Sequence, residues 1–129
     1  MNGMKLRLAG VVALAMTVLV GMLATNALSA SSSRTIALPT KITVSAGEFY
    51  FTLSKKSITK PGIVIFSVVN KGKIAHDFSI PSLHKSTRLL QPGSKQLLTV
   101  RFAKAGSFYY LCTVPRHAQE GMAGSFIVK

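Results

Sequence analysis

From Lys41 to Val128 the chain runs in short stretches whose apolar side chains fall at every second residue. In Glu48–Ser54, Phe49, Phe51 and Leu53 take one parity while Tyr50, Thr52 and Ser54 take the other; in Lys95–Phe102, Leu98, Val100 and Phe102 share a parity. Successive side chains leave a pleated backbone on opposite sides, so a period of two marks a strand with one buried face. Lys41–Ser45 (Ile42, Val44), Ala75–Ile80 (His76, Phe78, Ile80), Ser107–Cys112 (Phe108, Tyr110, Cys112) and Gly124–Val128 (Phe126, Val128) repeat the pattern. Ile63–Asn70 is apolar on both parities, as in a central strand. Turn residues separate these runs at Lys60-Pro61-Gly62, Asn70-Lys71-Gly72, Gln91-Pro92-Gly93 and Lys104-Ala105-Gly106, and Ser82–Arg88 reads as an irregular loop. With about seven to eight short strands and no sustained helical period, the fold class is all-β, either a two-sheet β-sandwich or a Greek-key barrel.

The first thirty residues have a different character. Lys5 and Arg7 precede an apolar run from Leu8 to Ala24, interrupted by Gly10, Thr17 and Gly21. That order is the order of a secretory signal. Ala27, Ser29 and Ala30 are small residues at which cleavage can follow. The run is slightly long for a signal core and slightly short for a spanning helix of about 20 residues, so an uncleaved membrane anchor is the alternative. The organisation is therefore residues 1–30 as signal peptide or membrane anchor, 31–40 as a linker opened by Ser31-Ser32-Ser33, and 41–129 as one β domain, large enough for a single compact core. The expected location is the periplasm or the extracellular face of the membrane, with membrane association through the N-terminal segment in the anchor alternative.

The 16 Lys and Arg of the chain, less Lys5 and Arg7, leave 14 from Ser31 onward against Glu48, Asp77 and Glu120, a net charge of +11. Nucleic acid is not indicated, because the lysines lie mostly in turns and form neither a helical stripe nor a basic block. They keep an exported β protein soluble and guard its sheet edges, and they favour partners with acidic surfaces.

Cys112 is the single cysteine, which excludes an internal disulfide and an N-terminal lipid-anchoring cysteine, and leaves a free thiol, an intermolecular bridge or a metal ligand. Beyond Ala30 the single methionine is Met122. Both lie in Tyr109–Lys129, where Cys112, His117 and Met122 are spaced C-x4-H-x4-M. Taken singly, a lone Met is usually core, a lone Cys an inert small hydrophobe and a lone His unremarkable. Together, a thiolate, an imidazole and a thioether suit copper, whereas magnesium, calcium and manganese take oxygen ligands. A trigonal His2Cys set with a long axial Met is the arrangement of blue-copper electron-transfer centres. It requires a second histidine, and His76, at a strand start and at the parity of Phe78 and Ile80, is the candidate. His84 lies in a polar loop outside the motif and reads as a surface residue; Glu120 reads as solvated.

NKGKIAHDFSI followed by YYLCTVPRHAQEGM resembles the cupredoxins, the small blue-copper proteins, over roughly Lys41 to Lys129. The C-x4-H-x4-M loop is most similar to the rusticyanin and sulfocyanin branch. The resemblance implies a cupredoxin-like Greek-key sandwich or barrel binding one type 1 copper per chain through His76, Cys112, His117 and Met122. It implies that Asn70, in an Asn-x-Gly segment, pins the ligand loop. It also implies that an exposed edge of His117, flanked by Pro115, Ala118 and Gly121, is the electron port, with Arg116 beside it to orient an acidic partner. Asp77, following the first histidine, stands where cupredoxins commonly carry Asn or Ser.

The function these features point to is an exported, monomeric one-electron carrier cycling Cu(II)/Cu(I) between redox proteins. The alternative is a periplasmic or cell-surface copper-binding and delivery protein, although the Met-rich or His-rich clusters usual in such proteins are missing. The chain is not read as an enzyme: three histidines do not furnish the second copper centre of a multicopper oxidase or nitrite reductase, and one cysteine does not bridge a binuclear site.

Overall fold

The computed structural model describes residues 37–129, so the signal-or-anchor reading and most of the linker lie outside the described residues. Nine strands follow in order: β1 (Thr40–Gly47), β2 (Tyr50–Leu53), β3 (Ser57–Ile58), β4 (Gly62–Asn70), β5 (Ser79–Ile80), β6 (Lys85–Ser86), β7 (Lys95–Phe102), β8 (Gly106–Leu111) and β9 (Ala123–Val128). A single 3₁₀ turn, Pro81–Leu83, follows β5, as expected where a proline ends a strand. The two-residue strands β3 and β6 arise in stretches too short to show any alternation.

The strands form two sheets, β2-β1-β4-β7 and β3-β9-β8-β5-β6. β4 lies between β1, parallel to it, and β7, antiparallel, which agrees with its apolar residues on both parities. The chain passes repeatedly from one sheet to the other, so that β1 and β4 are neighbours although β2 and β3 intervene. Exposed Lys85 on β6, and Lys95 and Arg101 on β7, place charge on the edge strands, where unpaired backbone would otherwise invite another chain.

The inward parities match the alternation read from the sequence. Ile42 and Val44, Val64, Phe66 and Val68, and Leu98, Val100 and Phe102 are buried from one sheet; Phe108, Tyr110, Phe126 and Val128 are buried from the other. Phe66 is the hub, with ring centroids 5.4 Å from Phe78, 5.4 Å from Phe126 and 6.4 Å from Phe102, mostly at steep angles that suit the aromatic quadrupole. Tyr110 points inward and Tyr109 outward, as their parity requires.

Phe66→Ala removes the ring that joins the two sheets and is expected to destabilise the protein by about 3–5 kcal/mol. Tyr109→Ala, on the exposed face, is expected to stay within about 0.5 kcal/mol. Urea denaturation of the two variants beside the wild type measures the contrast.

Candidate metal centre

Three segments meet at one end of the sandwich: the β1–β2 turn with Glu48 and Phe49, the stretch from Asn70 to Phe78 between β4 and β5, and the Cys112–Met122 connection between β8 and β9. Each is fixed by its own hydrogen bonds.

Asn70 ends β4 with its side chain fully buried and fully used. Its Nδ2 donates to Ile74 O at 2.7 Å and to Leu90 O at 2.8 Å, and its Oδ1 accepts from Gly72 N at 2.8 Å. These bonds shape the turn that delivers His76; the Asn70 side chain makes none to the Cys112–Met122 loop, the segment it was expected to pin. His76 then pairs with Leu90 through both backbone bonds, N to O at 3.1 Å and O to N at 2.8 Å. A backbone ladder thus fixes the histidine on one side and the Asn70 turn on the other.

The β8–β9 connection continues its ladder by one pair, Cys112 N donating to Met122 O at 3.0 Å, so Cys112 and Met122 sit opposite each other at the mouth of the hairpin. Between them His117 N donates to Val114 O at 3.1 Å and Met122 N to His117 O at 3.0 Å, folding the loop back on itself. Arg116 takes a left-handed φ of 71° and Gly121 a φ of 126°. A side chain on Gly121 would stand 2.8 Å from Phe49 O, so the loop presses on the β1–β2 turn where only glycine allows it.

Asp77 joins the segment that carries His76 to the one that carries Cys112. Its Oδ1 accepts from Thr113 N at 2.6 Å, and its Oδ2 accepts from the Thr113 hydroxyl. The residue that departs from the cupredoxin pattern therefore binds the backbone immediately after Cys112.

His76 Nδ1 stands 3.1 Å from His117 Nδ1, which is 3.5 Å from Cys112 Sγ. The ligand atoms of the three all lie within 4.8 Å of one another. Nitrogens about 2.0–2.1 Å and a sulfur about 2.3 Å from a common ion would show such separations at angles of about 100–110°. Met122 is buried in one cluster with Cys112 and Ala46, against Phe51 and Val114. The structure thus brings together all four side chains singled out from the sequence. His84 is exposed and outside the group, and Glu120 is exposed, 3.8 Å from Arg116 in a surface pair of little energetic weight.

The donor set is chemically suited to a metal. Burial pushes the Cys112 thiol up from its ordinary value, opposed by hydrogen bonds from the Asp77 and Val114 backbone, so a positive ion is what would favour the thiolate. Burial, ahead of the neighbouring His76 ring, lowers His117 and favours the neutral form that binds metals.

Two features escaped sequence reasoning. Glu48, read there only as the first residue of an alternating run, accepts at one oxygen from His76 Nε2 at 2.9 Å, Lys73 N at 2.8 Å and Ile74 N at 3.1 Å. Its scarcity, as one of three carboxylates in the chain, is the one signal that pointed to it. Phe49, placed by parity with Phe51 and Leu53, lies before β2 and sets its ring edge against His117, centroids 5.0 Å apart. His117 is consequently 7% exposed and offers no open edge, but it remains the most exposed of the four.

The profile of the Cupredoxin-like domain family matches residues 11–128. No curated protein matches the chain. Among solved structures, auracyanin from Roseiflexus castenholzii superposes with a TM-score of 0.57 at 20% identity, covering 70% of this chain and 97% of its own. Auracyanin A, a "blue" copper protein from Chloroflexus aurantiacus, gives 0.57 at 18% identity, covering 71% and 100%. The periplasmic domain of cytochrome oxidase subunit II from Bradyrhizobium japonicum gives 0.59 at 15%, covering 70% and 83%. At these identities the superpositions speak for the fold.

Asp77→Ala removes both acceptors of Thr113, and the metal-free protein is expected to lose about 1–3 kcal/mol. Amide hydrogen exchange will show the loss locally, as faster exchange at Thr113 than at strand amides of the Phe66 core.

Proposed function

We propose that this chain, which belongs to the cupredoxin-like domain family, is an exported one-electron carrier holding a single type 1 copper between His76, Cys112, His117 and Met122. The observation that carries the proposal is the convergence of His76 Nδ1, Cys112 Sγ and His117 Nδ1 beside a buried Met122. Bound copper supplies a Cu(II)/Cu(I) couple there, and a His2Cys set fits one type 1 ion.

The protein's part is to keep four side chains from rearranging as the charge at the site changes, since ligand reorganisation adds directly to the barrier for electron transfer. Cys112 would offer a thiolate sulfur, His76 and His117 two imidazole nitrogens, and Met122 a weak thioether to the copper. Asn70 and Leu90 restrain His76, the Cys112–Met122 backbone pair restrains both sulfurs, and Asp77 ties the two segments together. Backbone N–H groups of Asp77 and Val114 aimed at Cys112 stabilise the thiolate and tune the potential. Phe49 and the surrounding apolar residues limit water at the centre.

Electrons would pass on the His117 side, where the site lies closest to solvent, through the thin cover of Phe49. The positive surface favours a redox partner with an acidic docking face, met by a monomer. Export is supported by the leader-like first thirty residues and by a fold shared with a periplasmic oxidase domain. A carrier is favoured over an enzyme because His84, the third histidine, is exposed and apart from the cluster, leaving none for a second copper centre. Assignment to the rusticyanin and sulfocyanin branch rests on the C-x4-H-x4-M spacing.

Adding Cu(II) to the full chain is expected to give an intense visible absorption at one copper per chain that Cys112→Ser lacks entirely. A colourless one-to-one complex in the wild type would overturn the carrier reading. Met122→Leu keeps the volume and removes the thioether. It is expected to retain the absorption while shifting the midpoint potential upward by voltammetry, because a weak thioether donor would tune the couple.

A further inference from the structure

Glu48 reaches the site from the β1–β2 turn, far in sequence from any ligand, and touches His76 on the ring nitrogen that faces away from Cys112 and His117. Three donors converge on its Oε1: His76 Nε2, Lys73 N and Ile74 N. An ionised carboxylate only accepts hydrogen bonds, so Nε2 must carry the proton. In a neutral imidazole the other nitrogen, Nδ1, is then bare. That is the atom 3.1 Å from His117 Nδ1, inside the ligand cluster. Lys73 N and Ile74 N are backbone N–H groups that can only donate, and both point at the oxygen that His76 Nε2 reaches, so Oε1 is an acceptor there by geometry.

The niche around the carboxylate is built for it. A Cβ on Gly72 would overlap Glu48 Oε1 and approach its Cδ to 2.8 Å. Gly72 is itself held by Asn70 Oδ1, and its φ is not left-handed, so the backbone there accepts other residues. What glycine provides at this position is room for the carboxylate rather than conformational freedom.

We infer that Glu48 is a positioning residue: it fixes His76 as the Nε2–H tautomer with Nδ1 turned to the metal, and its charge biases the site toward the oxidised ion. A carboxylate on the far nitrogen of a ligating histidine raises the basicity of the ligand and orients its ring, and loss of such a partner typically costs about 10- to 100-fold in metal affinity. The added electron density favours the more highly charged Cu(II), so removing it raises the midpoint potential. The redox consequence rests on the copper reading above; the tautomer does not.

The test compares full-length wild type with Glu48→Gln, Glu48→Ala and Gly72→Ala. In the metal-free proteins, nitrogen-15 NMR of the imidazoles in mildly alkaline solution is expected to show His76 as the Nε2–H tautomer in wild type and Glu48→Gln. A mixture is expected in Glu48→Ala and in Gly72→Ala, where Glu48 is present but displaced. After copper loading, the midpoint potential is expected to rise in all three, including Glu48→Gln, which keeps the acceptor and loses only the charge. Cu(II) affinity is expected to fall about 10- to 100-fold in Glu48→Ala. A His76 tautomer unchanged in both Glu48→Ala and Gly72→Ala would overturn the inference and leave Glu48 as a cap on the Lys73–Ile74 turn. An unchanged potential in Glu48→Gln would overturn its electrostatic part. Should copper give no intense absorption in the wild type, the carrier reading fails by itself, and the metal-free tautomer comparison still decides the role of Glu48.

Discussion

The bond pair between Asp77 and Thr113 is what makes one site out of two segments. His76 belongs to the chain leaving β4, and Cys112 to the end of β8; those two stretches share only the single register pair Ser79–Leu111 in the sheet. Asp77 sits directly after the histidine and accepts both donors of the residue directly after the cysteine. Because the anchor points are one residue from His76 and from Cys112, slack in the loops reaches those two side chains only weakly. Other restraints work within one segment, as the Cys112–Met122 pair does, or tie a segment to a further stretch, as Asn70 and His76 are tied to Leu90 and His76 to Glu48.

The carboxylates are distributed with the same economy. On a chain of net charge +11 beyond residue 30, Asp77 and Glu48 both touch the site, and Glu120 lies on the ligand loop. Asp77 acts on the Cys112 side and Glu48 on the His76 side. Among the described residues neither forms an ion pair with a lysine, and each instead makes hydrogen bonds that a surface pair, screened by water and salt, would not match in geometry or strength. The rest of the surface stays positive, which leaves its field free to act on a partner.

Packing carries these local devices. The Phe66 cluster holds the sheets face to face, and β1 delivers Ala46 to the floor of the site before turning at Glu48. Residues within the strands were legible because alternation is a local property: Leu98, Val100 and Phe102 are inward by parity alone, whatever lies opposite. Phe49 shows where that logic stops. Its parity matches Phe51 and Leu53, yet the strand begins one residue later, and the ring is free to lean on His117. β3 and β6 were invisible for a related reason, since two residues show no period and pair only because a neighbouring edge is in reach.

The sequence by itself determined the all-β class and the inward residues of the long strands, and it singled out Cys112, His117, Met122 and His76 as candidate soft donors. These follow from residue type and short spacing, which survive without knowledge of distant contacts. Only the tertiary structure decided that Glu48 meets His76 across 28 residues, that Asp77 meets Thr113 across 36, and that Phe49 closes over His117. Those contacts depend on how the sheets stack and which loops share an end. A hydrogen bond needs its partner within about 3 Å, and sequence separation carries no information about that distance.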